Sequence, residues 1–111
     1  MKTCALCYND SPFINHQGIC GHCSEILKRE KIAKRKAIWL RDGKRCRYCG
    51  VKVSQAQMTL DHVKPKSRGG MDTFWNSVCS CKNCNENKGN KTLKEAKMEI
   101  IETPGNYFRN R

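Results

Sequence analysis

A short run of polar side chains offers the groups needed to cut a phosphodiester bond. Asp61 and His62 are adjacent, Asn76 follows them, and Asn85 comes directly after Cys84. A carboxylate and an amide oxygen suit a hard cation such as Mg²⁺ or Mn²⁺, which keeps several of its waters. A neutral histidine can take a proton from water near physiological pH. These residue types in this order predict metal-dependent phosphodiester hydrolysis.

Four cysteines surround these side chains as two CxxC pairs. Cys46 and Cys49 precede Asp61, and Cys81 and Cys84 lie between Asn76 and Asn85. Two such pairs can close a tetrahedral zinc site that holds the intervening residues in place. Cys79 could replace Cys81 as a ligand, but the spacing from Cys81 to Cys84 repeats that of the other pairs. We therefore expect Cys79 to be a small buried residue.

The N-terminal segment, residues 1–23, carries a second set of paired cysteines. Its predicted zinc ligands are Cys4, Cys7, Cys20 and Cys23. His16 and His22 lie nearby, but four cysteines satisfy a zinc ion, so neither histidine is expected to bind it. This segment is predicted to be a Cys4 zinc ribbon. Its expected role is in folding or in positioning DNA, and recruitment of a partner protein is the alternative.

The composition favours a small metal-stabilised domain with an anionic partner. Only 38% of the 111 residues are hydrophobic, and nine cysteines are too many for a soluble chain unless they bind metal. The formal charge of +12 comes from 22 Lys and Arg against 10 Asp and Glu. Nucleic acid is the first partner that this charge predicts, and an acidic membrane surface is a distant second. A merely basic soluble surface is the remaining alternative.

The cysteines and the residues after Met1 predict the cellular compartment. No apolar run suitable for a signal peptide or a membrane span follows Met1. An odd number of cysteines argues against a closed disulfide framework, and a reducing compartment keeps thiols available for zinc. We therefore expect a cytoplasmic protein with two structural zinc sites and no membrane partner.

Residues 24–43 predict a long basic linking helix. Ser24 is a suitable N-cap and Gly43 a suitable C-terminal stop, and apolar residues recur between them at helical spacing. Basic residues fill the other face, among them Lys34 and Arg35, which we expect to contact a phosphate backbone. A solvated basic face is the alternative interpretation.

Residues 44–103 are expected to form the core that contains the Asp–His pair. A hairpin is predicted between an arm at Val51 and Val53 and a strand over residues 58–63. Further candidate contacts to nucleic acid are the basic residues Lys64, Lys66, Arg68 and Lys88.

The C-terminal part begins with a helix signal. Thr92 and Glu95 form a capping box ahead of a helix that is expected to include Ile100 and Ile101 and to stop before Pro104. The basic tail, residues 104–111, is expected to be loosely ordered.

Taken in order, these features resemble the HNH endonuclease family of ββα-metal nucleases. The matching residues are Cys46, Cys49, Asp61, His62, Pro65, Gly69, Gly70, Asn76, Cys81, Cys84, Asn85, Lys88 and Gly89. The resemblance covers residues 36–97 and is strongest to the variant in which asparagine replaces the last histidine. Small phage HNH endonucleases often carry such zinc knuckles, which makes a phage origin an expectation.

The resemblance implies a fold and a set of roles. The fold would be a small zinc-stabilised α+β domain with a ββα-metal core. Asp61 and Asn85 would bind one catalytic Mg²⁺ or Mn²⁺, and His62 would be the general base. Asn76 would tie the loop so that His62 is correctly oriented. The substrate would be double-stranded or branched DNA, and cleavage would leave a 5′ phosphate and a 3′ hydroxyl.

The chain departs from the family pattern at Gly89, and a second function is also compatible with its residues. Many members carry a second histidine where this chain has Gly89, so a transition metal in the catalytic site is less expected. The competing function is a non-catalytic zinc-ribbon regulator that binds DNA or RNA, and it predicts Mg²⁺-independent binding without cleavage. Target sequence, nicking or double-strand cutting, and monomer or homodimer are not predicted by the sequence.

Overall fold

The computed structural model describes residues 2–102, 106–109 and 111. Its elements in chain order are β1 (Lys2–Thr3), β2 (Asp10–Ser11), α1 (Gly21–Arg29), α2 (Lys34–Arg41), β3 (Thr59–His62), a 3-10 turn (Lys66–Arg68), β4 (Ser77–Ser80), α3 (Lys82–Lys88), α4 (Leu93–Ala96) and α5 (Asn106–Arg109). Strand β1 pairs with β2 and β3 with β4, both antiparallel. The chain is a small α+β protein. Among the described helices, none has the length and apolar character to cross a bilayer.

The first helix begins earlier than its sequence suggested. Cys20 is its N-cap, because the Cys20 thiol accepts a hydrogen bond from the backbone N–H of Cys23. Ser24, the expected N-cap, lies inside α1, so that prediction is wrong. The second cysteine pair of the N-terminal segment thus starts a helix and places its two sulfurs one turn apart.

The predicted long basic helix is two helices, α1 and α2, and the single-helix prediction is wrong. Helix α1 ends in a Schellman motif, in which the N–H of Ile32 bonds to the carbonyl of Leu27 at 2.8 Å. Lys31 takes the left-handed conformation, with φ of 52°, at the position that glycine usually occupies. The turn buries Ile32 in the core. Helix α2 ends at Arg41 with the same motif, and Gly43 is the left-handed residue that terminates it, as predicted, with a φ of 70°.

Strand β3 pairs with β4 and not with the arm at Val51 and Val53. Its register runs from Thr59 opposite Ser80 to His62 opposite Ser77. The expected hairpin is wrong, because the arm makes only an isolated bridge between Arg45 and Lys52. All four residues of β4 are buried, whereas β3 is mostly half-buried, so β4 is the strand that lies deeper in the protein. Helix α3 follows β4 directly, which gives the order strand, strand, helix.

The C-terminal helix α4 has the predicted capping box but is short. The Thr92 hydroxyl accepts from the N–H of Glu95, and the Glu95 carboxylate accepts from the N–H of Thr92. The helix ends at Ala96, because Lys97 is in the left-handed conformation. The expected continuation to Ile101 is therefore wrong, and Pro104, its expected limit, lies outside the described residues.

The tail is ordered where the structure describes it. Helix α5 packs on α2, and Phe108 is 1% exposed. The expectation of a loose tail is wrong for residues 106–109, since Phe108 belongs to the hydrophobic core. Residues 103–105 and 110 lie outside the described part of the chain.

A buried ion pair at the end of α2 joins the N-terminal segment to the rest of the fold. The Arg41 guanidinium donates to the carbonyls of Phe74 at 2.8 Å and Ser77 at 2.7 Å, and also to that of Ala5 at 3.5 Å. Asp42 accepts from Arg41 Nε at 2.7 Å. Both side chains are almost fully buried. One hydrophobic cluster extends over the two segments around this pair.

Candidate nuclease site and its two thiol clusters

The four N-terminal cysteines form the first of two clusters whose sulfurs face one point. All four Sγ atoms of Cys4, Cys7, Cys20 and Cys23 lie within 4.8 Å of one another. Tetrahedral zinc–thiolate bonds place sulfurs about 3.8 Å apart, and Cys7 and Cys20 are separated by 3.9 Å. Backbone N–H groups of Leu6 and Cys20 donate to the Cys4 sulfur at 3.4 and 3.3 Å. The set can hold a zinc ion.

The second cluster consists of Cys46, Cys49, Cys81 and Cys84 and meets the same 4.8 Å limit. The sulfurs of Cys49 and Cys81 are 3.7 Å apart. Burial raises the pKa of the Cys46 thiol, but backbone N–H donors at Cys49, Cys81 and Tyr48 outweigh it and bring the pKa to about 7. Such donors stabilise thiolates, the form that zinc binds. This set can also hold zinc.

Cys79 lies apart from the second cluster. Its side chain is completely buried in β4. Burial raises the pKa of this thiol to about 12, so it stays protonated at neutral pH. The prediction of a small buried residue at Cys79 is confirmed.

Asp61 lies at the edge of the β3–β4 ribbon, where two neighbours, Tyr48 and Lys88, hold its carboxylate. Its Oδ2 accepts a hydrogen bond from the Tyr48 hydroxyl and lies 3.3 Å from the Lys88 ammonium. Lys88 Nζ also donates to the carbonyl of His62 at 2.9 Å. Within the described residues, both side-chain contacts of Asp61 engage Oδ2, and neither engages Oδ1.

Lys88 was expected to contact nucleic acid, and that expectation is wrong. Its side chain is 0% exposed. The ammonium bonds inward to Asp61 and His62, so an outward contact would break a buried ion pair. The sequence shows only a Lys–Gly pair after the second cluster, and this pattern did not distinguish an inward from an outward lysine.

His62 is the last residue of β3 and its ring has a carboxylate partner. Nε2 lies 3.0 Å from Oδ1 of Asp72. Asp72 also accepts from Lys34 Nζ at 2.8 Å, and Lys66 Nζ is 3.7 Å from its other oxygen. The sequence patterns did not single out Asp72, because it stands in an irregular loop outside every motif. The contact depends on how that loop folds.

Asn76 closes the loop that carries Asp72, which we call the catalytic loop (residues 63–76). Its Oδ1 accepts from the N–H of Lys64 at 2.9 Å. Its Nδ2 donates to the carbonyls of Lys64 at 3.0 Å and Met71 at 2.8 Å. Gly70 is required here, because a Cβ would stand 1.8 Å from the Lys64 carbonyl oxygen. One amide therefore fixes both ends of the loop.

Asp61, His62 and Asn85 line one open cleft with a volume of about 400 Å³. Asn85 reaches it from α3, whose start is fixed by the Cys84 N–H bonding to the Cys81 sulfur at 3.4 Å. A larger cavity of about 990 Å³ lies beyond Cys84 beside residues 93–101 and touches neither Asp61 nor His62. We take the smaller cleft as the site because the reactive side chains converge there.

The predicted basic contacts lie at different distances from this cleft. Lys66 lines it, while Arg68 pairs with Glu95 at 2.9 Å. Lys34 is engaged with Asp72, and Arg35 donates to the carbonyls of Met58 and Gln55. Lys64 is exposed on the catalytic loop and immediately precedes Pro65, which lines the cleft.

Comparison with known proteins identifies the family. A sequence profile described as HNH endonuclease matches residues 46–101, which is just over half of the chain. The chain therefore belongs to the HNH endonuclease family, and the resemblance noted from the sequence is confirmed. The match contains Asp61, His62 and Asn85.

Two proteins that carry the name Cas9 are similar to parts of this chain. Over 46 residues the chain is 37% identical to a CRISPR-associated endonuclease Cas9 of Corynebacterium diphtheriae, covering 40% of this chain and 4% of that protein. The crystal structure of the Type II-C Cas9 enzyme from Actinomyces naeslundii matches with a TM-score of 0.53 and 23% identity. That match covers 68% of this chain and 10% of the other, and it shows likeness of fold alone. The chain spans at most a tenth of the length of these relatives.

Proposed function

We propose that the chain is a metal-dependent DNA endonuclease of the ββα-metal type. The observation that supports this most directly is the convergence of Asp61, His62 and Asn85 on one cleft inside the family match. The order β3, β4, α3 supplies the two strands and the helix that such a core needs. The net charge of +12 suits a polyanionic substrate.

The donor set of the cleft fits a hard divalent cation. Asp61 offers Oδ1 and Asn85 an amide oxygen, and two oxygen ligands suffice for Mg²⁺ or Mn²⁺ because these ions keep several waters. When bound, the ion would neutralise charge that develops on the phosphate and on the leaving 3′ oxygen. Tyr48 and Lys88 hold the Asp61 carboxylate from behind through Oδ2.

His62 is proposed to act as the general base. Its ring would accept a proton from the water that attacks phosphorus. The bond from phosphorus to the 3′ oxygen would break, and the leaving 3′ oxygen would take a proton from solvent. The products would be a 5′ phosphate and a 3′ hydroxyl. Asn76 serves this step indirectly, because its three hydrogen bonds fix the loop behind His62.

The two thiol clusters are proposed to bind structural zinc. Cys46, Cys49, Cys81 and Cys84 would link the strand–strand–helix unit to the knuckle that carries Tyr48. The N-terminal cluster would fold residues 1–23 against α2. Lys64 and Lys66 would contact the DNA backbone beside the cleft, giving affinity without base recognition.

Supercoiled plasmid and a branched DNA, each with Mg²⁺, Mn²⁺ or EDTA, test the proposal. Zinc-loaded wild type should nick or linearise DNA only with added metal, and His62→Ala of equal zinc content should not. His16→Ala is the matched control, because His16 is exposed on the N-terminal segment. A nick that DNA ligase seals directly would establish the 5′ phosphate and 3′ hydroxyl ends.

The negative result is equally informative. If wild type and His62→Ala bind both DNAs equally and neither protein cuts, the non-catalytic zinc-ribbon binder is the better function. Cleavage that persists in His62→Ala at the wild-type rate would remove His62 from the mechanism.

A further inference from the structure

Asp72 has more contacts to the candidate site than its place in an irregular loop would suggest. Its Oδ1 lies 3.0 Å from His62 Nε2 and 2.8 Å from Lys34 Nζ. Lys34 also donates to the Asp72 backbone carbonyl at 3.1 Å, so helix α2 holds both the main chain and the side chain of this residue. Such contacts from two separate elements fix the carboxylate beside the imidazole.

The catalytic loop places Asp72 there by backbone geometry. Asn76 bonds to the carbonyl of Met71, the residue before Asp72, at 2.8 Å. On the other side, the N–H of Phe74 donates to the carbonyl of Gln17 at 3.0 Å. Asp72 thus lies between two anchored points, one on the loop itself and one on the N-terminal segment.

The Asp72 carboxylate is ionised in this setting. The hydrogen bond from Lys34, and after it that from His62, hold the pKa of Asp72 well below its usual range. An ionised carboxylate only accepts hydrogen bonds. The His62 nitrogen facing it must therefore carry the proton, which leaves the lone pair of a neutral ring on Nδ1.

We propose that Asp72 is a positioning residue that holds His62 in the tautomer with Nε2 protonated, so that Nδ1 is the atom that takes the proton from water. This inference rests on the proposed nuclease function. A base in the wrong tautomer cannot accept at the required atom, and a ring without a partner rotates. Asp72 would thus act through His62 and would not touch the DNA or the metal.

The alternative role for Asp72 is to block the cleft, and this role predicts a different result. Asp72 is surrounded by His62, Lys34 and Lys66, which are groups that a DNA phosphate could also engage. A carboxylate that merely blocked the cleft would slow the enzyme, and its removal would speed cleavage and tighten binding. A carboxylate that orients the base would have the reverse effect on the rate.

Three variants separate these roles in zinc-loaded full-length protein. Asp72→Asn keeps the shape and removes the charge, Asp72→Glu restores a carboxylate, and Asp10→Asn is a control with the same chemical change on β2. Single-turnover plasmid cleavage with Mg²⁺ and DNA affinity with Ca²⁺ are measured for each. Asp72→Asn should cleave about 10- to 100-fold more slowly than wild type, and its DNA affinity should be equal or higher. Asp72→Glu should recover part of the cleavage rate. Asp10→Asn should match wild type in both measurements.

A spectroscopic readout tests the contact without relying on cleavage. NMR of the imidazole nitrogens in their neutral form should show a single Nε2-protonated tautomer for His62. The spectrum of His62→Ala assigns its signals among the three histidines. In Asp72→Asn these shifts should move toward a mixture of tautomers.

The outcomes distinguish this inference from the function on which it rests. If wild type cleaves and Asp72→Asn cleaves equally fast or faster, or keeps the wild-type tautomer, the role of Asp72 is overturned while the nuclease stands. If wild type cuts no DNA, the proposed function is overturned, and the nitrogen shifts still decide whether Asp72 sets the His62 tautomer.

Discussion

Tyr48 connects a proposed zinc knuckle to the proposed catalytic carboxylate. It lies between Cys46 and Cys49, and its hydroxyl donates to Oδ2 of Asp61. Burial, and then the bond to Asp61, raise the pKa of Tyr48 far above neutrality, so the hydroxyl remains a donor at every physiological pH. The knuckle thus orients Asp61 and also supplies two of the four proposed zinc ligands, Cys46 and Cys49.

Replacing Tyr48 by phenylalanine removes this donor and keeps the ring. Asp61 then retains the Lys88 contact alone, and its Oδ1 is less well oriented toward a cation. Partners behind a metal ligand typically change metal affinity by about 10- to 100-fold. We expect Tyr48→Phe to need about tenfold more Mg²⁺ for half-maximal cleavage, measured by Mg²⁺ titration of plasmid cutting.

Tyr107→Phe is the matched control, because Tyr107 lies on α5 against Phe108 and not in the cleft. It should leave the Mg²⁺ dependence unchanged. An identical Mg²⁺ titration for Tyr48→Phe and wild type would show that the hydroxyl does not prepare Asp61 for metal.

The sequence predicted the site residues that belong to a local sequence motif and missed those that do not. Cysteine spacing predicted both thiol clusters, and the order of Asp61, His62 and Asn85 predicted a shared cleft. Asp72 and the inward direction of Lys88 were missed, since each contact joins segments far apart in sequence. Spacing reports neighbours along the chain, whereas these contacts are set by tertiary packing.

Helix α2 contacts three parts of the fold: the β3–β4 ribbon, the catalytic loop and the N-terminal segment. Its terminal Arg41 bonds to carbonyls in all three, as described above, and its C-cap Asp42 accepts from the N–H of Cys79 at 2.8 Å. Arg47 adds a third contact to Asp42 at 3.0 Å. The Arg41–Asp42 charge pair is buried, so the stability of the fold depends on both charges.

Asp42→Asn is expected to destabilise the whole fold. The amide keeps the shape, but it removes the carboxylate charge that pairs with the buried Arg41 guanidinium, and breaking such a buried pair costs about 3–5 kcal/mol. We expect the free energy of unfolding in urea to fall by about 3 kcal/mol.

Asp10→Asn in β2 is the comparison, because Asp10 is exposed and accepts from the nearby Thr3 hydroxyl. A change of less than about 1 kcal/mol for Asp42→Asn, the size expected for a surface pair, would contradict the proposed dependence on the buried charge.

The elements were predictable where their limits depend on local chemistry. The capping box at Thr92 and the stop at Gly43 are confirmed, because each has its characteristic residue. The end of α1 was missed because a lysine, Lys31, takes the left-handed conformation there. The partner of β3 was missed because β4 lies beyond the catalytic loop, and alternation alone does not choose between two possible partners.

At the scale of the whole molecule, the two thiol clusters share one core. Ala5 and Leu6 of the N-terminal segment are fully buried in the same hydrophobic cluster as Phe74 and Cys79. Arg41 bonds to the carbonyl of Ala5 as well as to those of the catalytic loop and β4. We therefore expect the N-terminal segment and the nuclease core to fold as one unit.

Disrupting the proposed N-terminal zinc site tests this coupling. Cys7→Ala should bind one zinc per chain instead of two, and structural zinc contributes on the order of 10 kcal/mol, as much as the whole stability of a typical domain. Because the core is shared, amide hydrogen exchange should accelerate in β4 and α2 as well as around the cluster. Cleavage of plasmid should fall together with this protection.

Cys79→Ala provides the control, since it removes a buried cysteine that lies outside both clusters. It should keep two zinc ions per chain and lose little protection in β1 and β2. If Cys7→Ala instead kept full protection of β4 and wild-type cleavage, the N-terminal segment would be an independent module. Its contacts through Arg41 and Phe74 would then hold two separately stable parts together, and its role would lie in contacts with DNA or with a partner protein.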